Sequence, residues 1–131
     1  MLPATAERVP LHTAPEVNER IARQTRATIR EISAAGPEAI QQRLAELDRE
    51  WDVERCLETM APTFSLFGLF LGITVNRRWL LLPIVVQSFF LQHALQGWCP
   101  PLAVLRRLGV RTAREIDDER CALQALRGEQ P

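Results

Sequence analysis

The sequence has no lysine; arginine supplies all sixteen of its basic residues. Beside abundant alanine, leucine and proline, that absence reads as a genome-composition bias and excludes nothing about function. An excess of charge of either sign is also missing, because sixteen acidic residues match the arginines. Whole-chain electrostatics therefore points to no nucleic-acid partner and to no charged membrane surface. Cysteine is sparse: Cys56, Cys99 and Cys121, without a signal peptide, do not form a disulfide framework. The stretch MLPATAERVPLHTAPEVNER, Met1 to Arg20, lacks an apolar run and carries acidic residues, so no secretory leader is expected. No strand pattern, internal repeat, phosphate-binding loop, nucleophile–base pairing or carboxylate dyad is visible. A chain of 131 residues is then one small domain, or a small membrane unit with soluble flanks.

Charge is scarcest in the middle of the chain. Between Pro62 and Leu105 the formal charges are Arg77 and Arg78 alone. The run WLLLPIVVQSFFLQHALQGW, Trp79 to Trp98, has twenty residues, the length that crosses a hydrocarbon layer of ~30 Å. A tryptophan at each end suits the two interfaces. The earlier run APTFSLFGLFLGITV, Ala61 to Val75, has fifteen residues and reaches only ~22 Å as a helix. Extension back through Met60, Leu57 and Val53 supplies the missing length and puts Glu58 at the headgroup level. Pro62 then falls early in the span, as a first-turn residue or a mild kink. The segment NRR, Asn76 to Arg78, is too short for anything but an antiparallel helical hairpin. A soluble hairpin buried in a partner or dimer core is the alternative, but a chain this small struggles to cover both runs on every side.

Arginine placement predicts orientation. Arg43, Arg49 and Arg55 precede the first span, and Arg106, Arg107, Arg111 and Arg114 follow the second. Both termini are expected in the cytoplasm, with the tight turn outside.

The flanks are polar and periodic. TAPE, Thr13 to Glu16, has a capping-box pattern with Pro15 near the first helical position. Val17, Ile21, Thr25, Thr28 and Ile32 form a weak apolar stripe that Gly36-Pro37 interrupts. Ile40, Leu44, Leu47 and Trp51 mark a second helix. These helices are expected to pack on each other, on the membrane surface or on a partner. After the hairpin, Cys99-Pro100-Pro101 ends the second span, and a short helix from Leu102 to Leu108 stops at Gly109. TARE, Thr112 to Glu115, caps a last helix through Leu126, with Gly128 as its stop. The expected fold is all-α, a transmembrane hairpin (residues 53–99) between amphipathic cytoplasmic flanks (residues 1–52 and 100–131).

Few residues offer chemistry. Cys99, beside Pro100 and near Arg106 and Arg107, is a candidate thiolate, or simply a small apolar residue at a helix end. Cys56 lies about as far from the turn as Cys99, so an antiparallel hairpin sets the two thiols at similar depth. Gln87, Gln92, His93 and Gln96 lie within the second span, and Gln92, His93 and Gln96 share one polar face. That face serves interhelical hydrogen bonding or lines a path for a small solute. One histidine without a partner at ligand spacing is a poor metal site, and no metal or cofactor is expected. Ser65, Gly68 and Gly72 form a small-residue face for helix packing, within the hairpin or between two hairpins. Asp117-Asp118-Glu119 reads as a solvated helix face.

GWCPPLAVLRRLG, Gly97 to Gly109, following the apolar hairpin and LDREWDVER upstream, resembles the small bacterial YgaP-like transmembrane family, a domain of unknown function. Asp48, Arg49 and Arg55 correspond to its D-R…R segment. Gly97, Cys99 and Pro100 correspond to its G-x-C-P motif, and Leu108 and Gly109 to the L-G that follows. The resemblance covers roughly Leu47 to Val110. The family's N-V-G before D-R is absent here, Pro101 and a longer C-P to L-G spacing are added, and both flanks are extended. The resemblance implies a bacterial inner-membrane hairpin, multi-pass and homodimeric. Some members are fused to a rhodanese, for which this chain has no room, so no enzyme activity of its own is implied and a separate sulfurtransferase is the conceivable partner. The functional expectation is a non-enzymatic membrane anchor or assembly module for a cytoplasmic protein, with sulfur or thiol metabolism as the setting the resemblance suggests. The alternatives are an oligomeric conduit lined by Gln92, His93 and Gln96, and a relay in which Cys99 accepts sulfane sulfur and Cys56 resolves it.

Overall fold

The computed structural model describes residues 7–129, and among them every regular element is helical. After a single turn, α1 (Arg8–Leu11), come α2 (Pro15–Ala35) and α3 (Pro37–Arg49). The long α4 (Val53–Thr74), a 3-10 turn (Arg77–Leu80) and α5 (Leu81–Gln96) make the hairpin. It is followed by α6 (Pro100–Arg107) and α7 (Ala113–Glu129).

Local signals set most of the boundaries. Gly36 separates α2 from α3 with φ 105°, a conformation closed to most side chains, and Pro37 restarts the helix where its missing N–H costs nothing. Asp52 caps α4 by accepting the Arg55 N–H at 2.7 Å. Thr112 and Glu115 form a reciprocal capping box before α7, at 3.2 and 2.8 Å. Three local readings are corrected. Ala14, not Thr13, is the N-cap of α2; the Thr13 hydroxyl instead donates to the Val9 carbonyl and accepts from Arg106. Gly128 does not stop α7, which runs on to Glu129; Gly36, Gly97 and Gly109 have the positive φ of a stop, and Gly128 does not. Trp51 lies beyond α3, exposed, with the Arg55 guanidinium 4.4 Å from its ring centroid.

α2, α3 and α7 pack on each other as a three-helix bundle. Its core is Ile40 and Leu47 of α3 with Ile116 and Leu123 of α7, flanked by Ile29, Ile32, Leu44 and Leu126. The N- and C-terminal flanks are therefore one packed unit, not two separate appendages.

The hairpin is organised differently. α4 buries Val53, Leu57, Ala61, Ser65, Gly68 and Gly72, a stripe at intervals of three and four. It faces α5, and the outward positions hold Phe64, Leu66, Phe67, Phe70 and Ile73, all exposed. The twenty-two residues of α4 reach ~33 Å. Pro62 is its tenth residue rather than part of its first turn, and the helix continues through it. Trp79 belongs to the 3-10 turn, and α5 starts at Leu81; turn and helix together still reach ~32 Å. Among the described residues, two helices are long and apolar enough to cross a membrane. Only 22% and 6% of their most apolar stretches are buried, whereas a soluble protein's core helices are mostly covered.

Candidate functional site

At the foot of the hairpin, four residues that no spacing rule connects come together. α5 ends at Gly97, whose left-handed φ of 79° reverses the chain while its N–H donates to the His93 carbonyl at 2.7 Å. A side chain on Gly97 would collide with Arg8, its Cβ meeting the Arg8 Cβ at 2.5 Å. That close approach lets α1 lie across the end of α5, where Arg8 Nη1 donates to the Ala94 carbonyl at 2.9 Å. Arg8 Nη2 also donates to Glu54 Oε1 at 2.9 Å, and the same oxygen lies 2.9 Å from His93 Nε2. After Gly97 the chain reaches Cys99, and Phe90, the neighbour of the imidazole, packs against the apolar cluster that holds this cysteine.

His93 is 1% exposed and Cys99 2%. Phe90 stacks over the imidazole at 6.5 Å between centroids, and Val9, Val53, Leu57 and Leu102 enclose the thiol. The tautomer of His93 follows from its partner. A carboxylate only accepts, so Nε2 carries the hydrogen directed at Glu54. Nδ1 is buried and has no hydrogen-bond partner. The charges of Arg8 and Glu54 offset each other. Cysteine nucleophiles are activated by a neighbouring base or by a helix N-terminus.

The start of α6 contributes little to that activation. Cys99 is its N-cap, but Pro100 and Pro101 occupy the first turn and carry no N–H, and the Leu102 N–H is taken by the Cys99 carbonyl at 3.1 Å.

No family model, curated protein or solved structure matches the chain. The site is read from its own geometry.

The other sequence candidates fall in several places. Cys56 is half-buried on α4 and belongs to neither the apolar cluster around Cys99 nor the cleft beside it. Gln92 is half-buried and Gln96 exposed, while His93 turns inward to Glu54, so within one chain the three do not line a common passage. Gln87 donates to Ser65 Oγ at 2.7 Å across the hairpin. Gly68 lies against Pro83 of α5, and Gly72 against Leu80 of the 3-10 turn. Of the motif residues, Asp48 accepts from Arg120 at 2.9 Å, Arg55 covers Trp51, and Pro100 opens α6. Leu108 is exposed, and Gly109 takes φ 91° after α6. Among the described residues no cluster of His, Cys, Asp and Glu is arranged to hold a metal.

Glu119 is not part of a solvated face. It is 0% exposed and accepts from Arg111 at 2.6 Å and from Arg43 at 3.0 and 3.2 Å. Arg111 also bonds Glu50 through both of that carboxylate's oxygens. Burial pushes the Glu119 carboxyl up, but Arg43 and Arg111 outweigh it and hold it below the usual carboxylate value. Arg106, 1% exposed, bonds both oxygens of Glu115 at 2.6 and 3.1 Å, Asn18 at 2.9 Å and Thr13 at 3.2 Å. Burial raises the Glu115 carboxyl as well, and Arg106 with the Thr112 N–H brings it below its usual value. These pairs are satisfied on every side and read as structural. Arg8, Glu54 and Arg111 were not singled out as site or core residues by the sequence, and Arg106, expected to favour a Cys99 thiolate, is instead held by Glu115, Asn18 and Thr13. Polar residues at these positions read as solvated until the tertiary partner is known.

Proposed function

We propose that the chain is a two-span membrane protein whose hairpin fixes a cytoplasmic three-helix platform at the bilayer, as an anchor or assembly module without turnover of its own. The observation that carries this reading is the contrast in exposure between the two blocks. Phe64, Phe67, Phe70, Ile73, Leu81 and Ile84 project outward from the hairpin, while the adjoining bundle sequesters paired charges. A band of that size has no stable place in water and suits hydrocarbon. The resemblance to the YgaP-like family supports a bacterial inner membrane, both termini in the cytoplasm, and a sulfurtransferase or another thiol-handling protein as the cytoplasmic partner. Because Gly68 and Gly72 are used inside the hairpin, a homodimer would pair through the larger side chains of the outer faces.

Topology is the deciding experiment. In a variant with Cys56 and Cys99 replaced by Ser, Arg77→Cys places a thiol in the turn and the native Cys121 marks α7. The reading expects the chain to survive alkaline extraction with the membrane. It also expects an impermeant maleimide on intact cells to label position 77 and spare Cys121. Release into the alkaline supernatant, or labelling of both positions, overturns it.

A further inference from the structure

We propose that Cys99 is an acyl-accepting nucleophile, forming a thioester with a long-chain acyl group whose carbonyl end enters the cleft between α4 and α5. Two independent observations meet here. The first is the buried Nδ1 of His93, without a hydrogen-bond partner, on a ring whose neighbour Phe90 packs against the Cys99 cluster. The second is an apolar cleft of about 80 Å³ against the sulfur, bordered by Leu57 and Phe64 of α4, Phe89 and Phe90 of α5, and Cys99 and Pro101. The volume is more than twice the ~30 Å³ share of a water molecule, room for the head of an acyl chain and not for its whole length. Phe64 and Phe89 are 47% and 37% exposed, so the cleft opens on the outward apolar face of the hairpin, where the rest of the chain would lie in lipid. On the polar side, Arg8 lies over Gly97 and Val9 packs against Cys99. A hydrophilic sulfur donor approaching from water meets that cover, whereas an acyl chain arrives through the side that is already apolar.

The step balances without an oxidant or reductant. The Cys99 proton moves to His93 Nδ1, and Sγ attacks the carbonyl carbon of an acyl thioester. A carbon–sulfur bond to Cys99 forms, the donor's carbon–sulfur bond breaks, and the departing thiolate takes the proton back from Nδ1. Glu54 acts as a positioning residue: it fixes the tautomer through Nε2 and offsets the transient imidazolium. The product ties the start of α6 to the bilayer, adding a reversible lipid attachment to the one the hairpin makes. The inference rests on the hairpin lying in lipid. Alkaline extraction tests that separately, so loss of acylation with insertion retained counts against the thiol site alone.

The experiment uses the full chain reconstituted in phosphatidylcholine vesicles and supplied with alkyne-tagged palmitoyl coenzyme A. A single acyl group on Cys99 is expected, released by neutral hydroxylamine and absent from Cys99→Ser. His93→Gln should slow its formation about 100-fold or more, with the thermal melt unchanged. Val86→Phe, which narrows the cleft while leaving thiol and imidazole in place, should block palmitoyl transfer more than acetyl transfer from acetyl coenzyme A. Three results each overturn the proposal: labelling of exposed Cys121 with Cys99 untouched, equal rates in wild type and a folded His93→Gln, or a Cys99 that takes one sulfur from polysulfide and no acyl group. If His93→Gln unfolds, the palmitoyl-to-acetyl comparison in Val86→Phe decides alone.

Discussion

The hairpin and the bundle are both made of helices, yet they are held together by opposite means. In the bundle, α2, α3 and α7 surround a small aliphatic core, and carboxylates and guanidiniums are buried at its edge: Glu119 with Arg43 and Arg111, Glu115 with Arg106. In the hairpin the interior is where the smallest side chains lie, and the large apolar ones point away. Water explains the first arrangement. Aliphatic side chains leave it, and the few charges that go with them keep one another company. For a hairpin that lies in lipid, as proposed, the outward side chains gain nothing by turning in, so cohesion has to come from close backbone approach, as at Gly68 and Gly72.

The contrast predicts where damage stays local, and the bundle's network should show the largest effect. Glu119→Gln leaves Arg43 without its buried partner and Arg111 with only Glu50. Breaking a buried pair from one side costs about 3–5 kcal/mol. Urea unfolding of the detergent-solubilised protein should show that loss in α7, and alkaline extraction should show the hairpin still inserted. Loss of insertion together with the bundle would mean that the two blocks fold as one.

Acid tests the same network without mutation. Glu119 and Glu115 have carboxyls held below their usual values in the folded chain. Their contribution is fully present above the ordinary carboxylate value of ~4.5 and disappears as pH falls through the lowered folded values. Pepsin cleavage between pH 5 and pH 2 should therefore begin in α2, α3 and α7 as the pH drops, with α4 and α5 protected. Equal protection of both blocks throughout that range would show that the ion pairs do not govern the bundle.

The same contrast decides how much could be seen in the sequence. α4 and α5 were legible because an apolar run needs no knowledge of its partner, whereas the caps that bound them, Asp52 and Gly97, went unread beside the more conspicuous Cys99-Pro100-Pro101. Thr13 and Glu119 misled because each obeys a local rule, capping and helix-face solvation, that a distant arginine overrides. The site was the least legible. His93 was read only as part of a polar face, and its partners Glu54 and Arg8 arrive from elements far away in sequence.

Within the hairpin, a middle-sized effect belongs to Gly68. A Cβ there would meet Pro83 Cδ at 2.5 Å and the Trp79 carbonyl oxygen at 3.1 Å. Gly68→Val should cost about 1–3 kcal/mol by overpacking, read as a lower melting temperature of a variant that keeps Trp79 as its one tryptophan. The edge-on contact of Trp79 with Phe67, 6.3 Å between centroids, makes that indole a reporter of the packing. The bundle's acid response should not change.

The smallest effect separates packing from polar bonding as the source of cohesion. Gln87 Nε2 donates to Ser65 Oγ at 2.7 Å, between two outward-apolar helices. In hydrocarbon the bond looks strong, because an unpaired amide there is costly. A helix pair separated within the bilayer, however, finds other partners for its polar groups, and measured interhelical bonds average only about 0.6 kcal/mol, with ~1.7 as an upper value. A double-mutant cycle of Ser65→Ala and Gln87→Leu should therefore give a coupling near 0.6 kcal/mol, below the loss at Gly68. A coupling above about 2 kcal/mol would exceed that range and reverse the comparison: the hairpin would then be held, like the bundle, by what its polar groups do for one another.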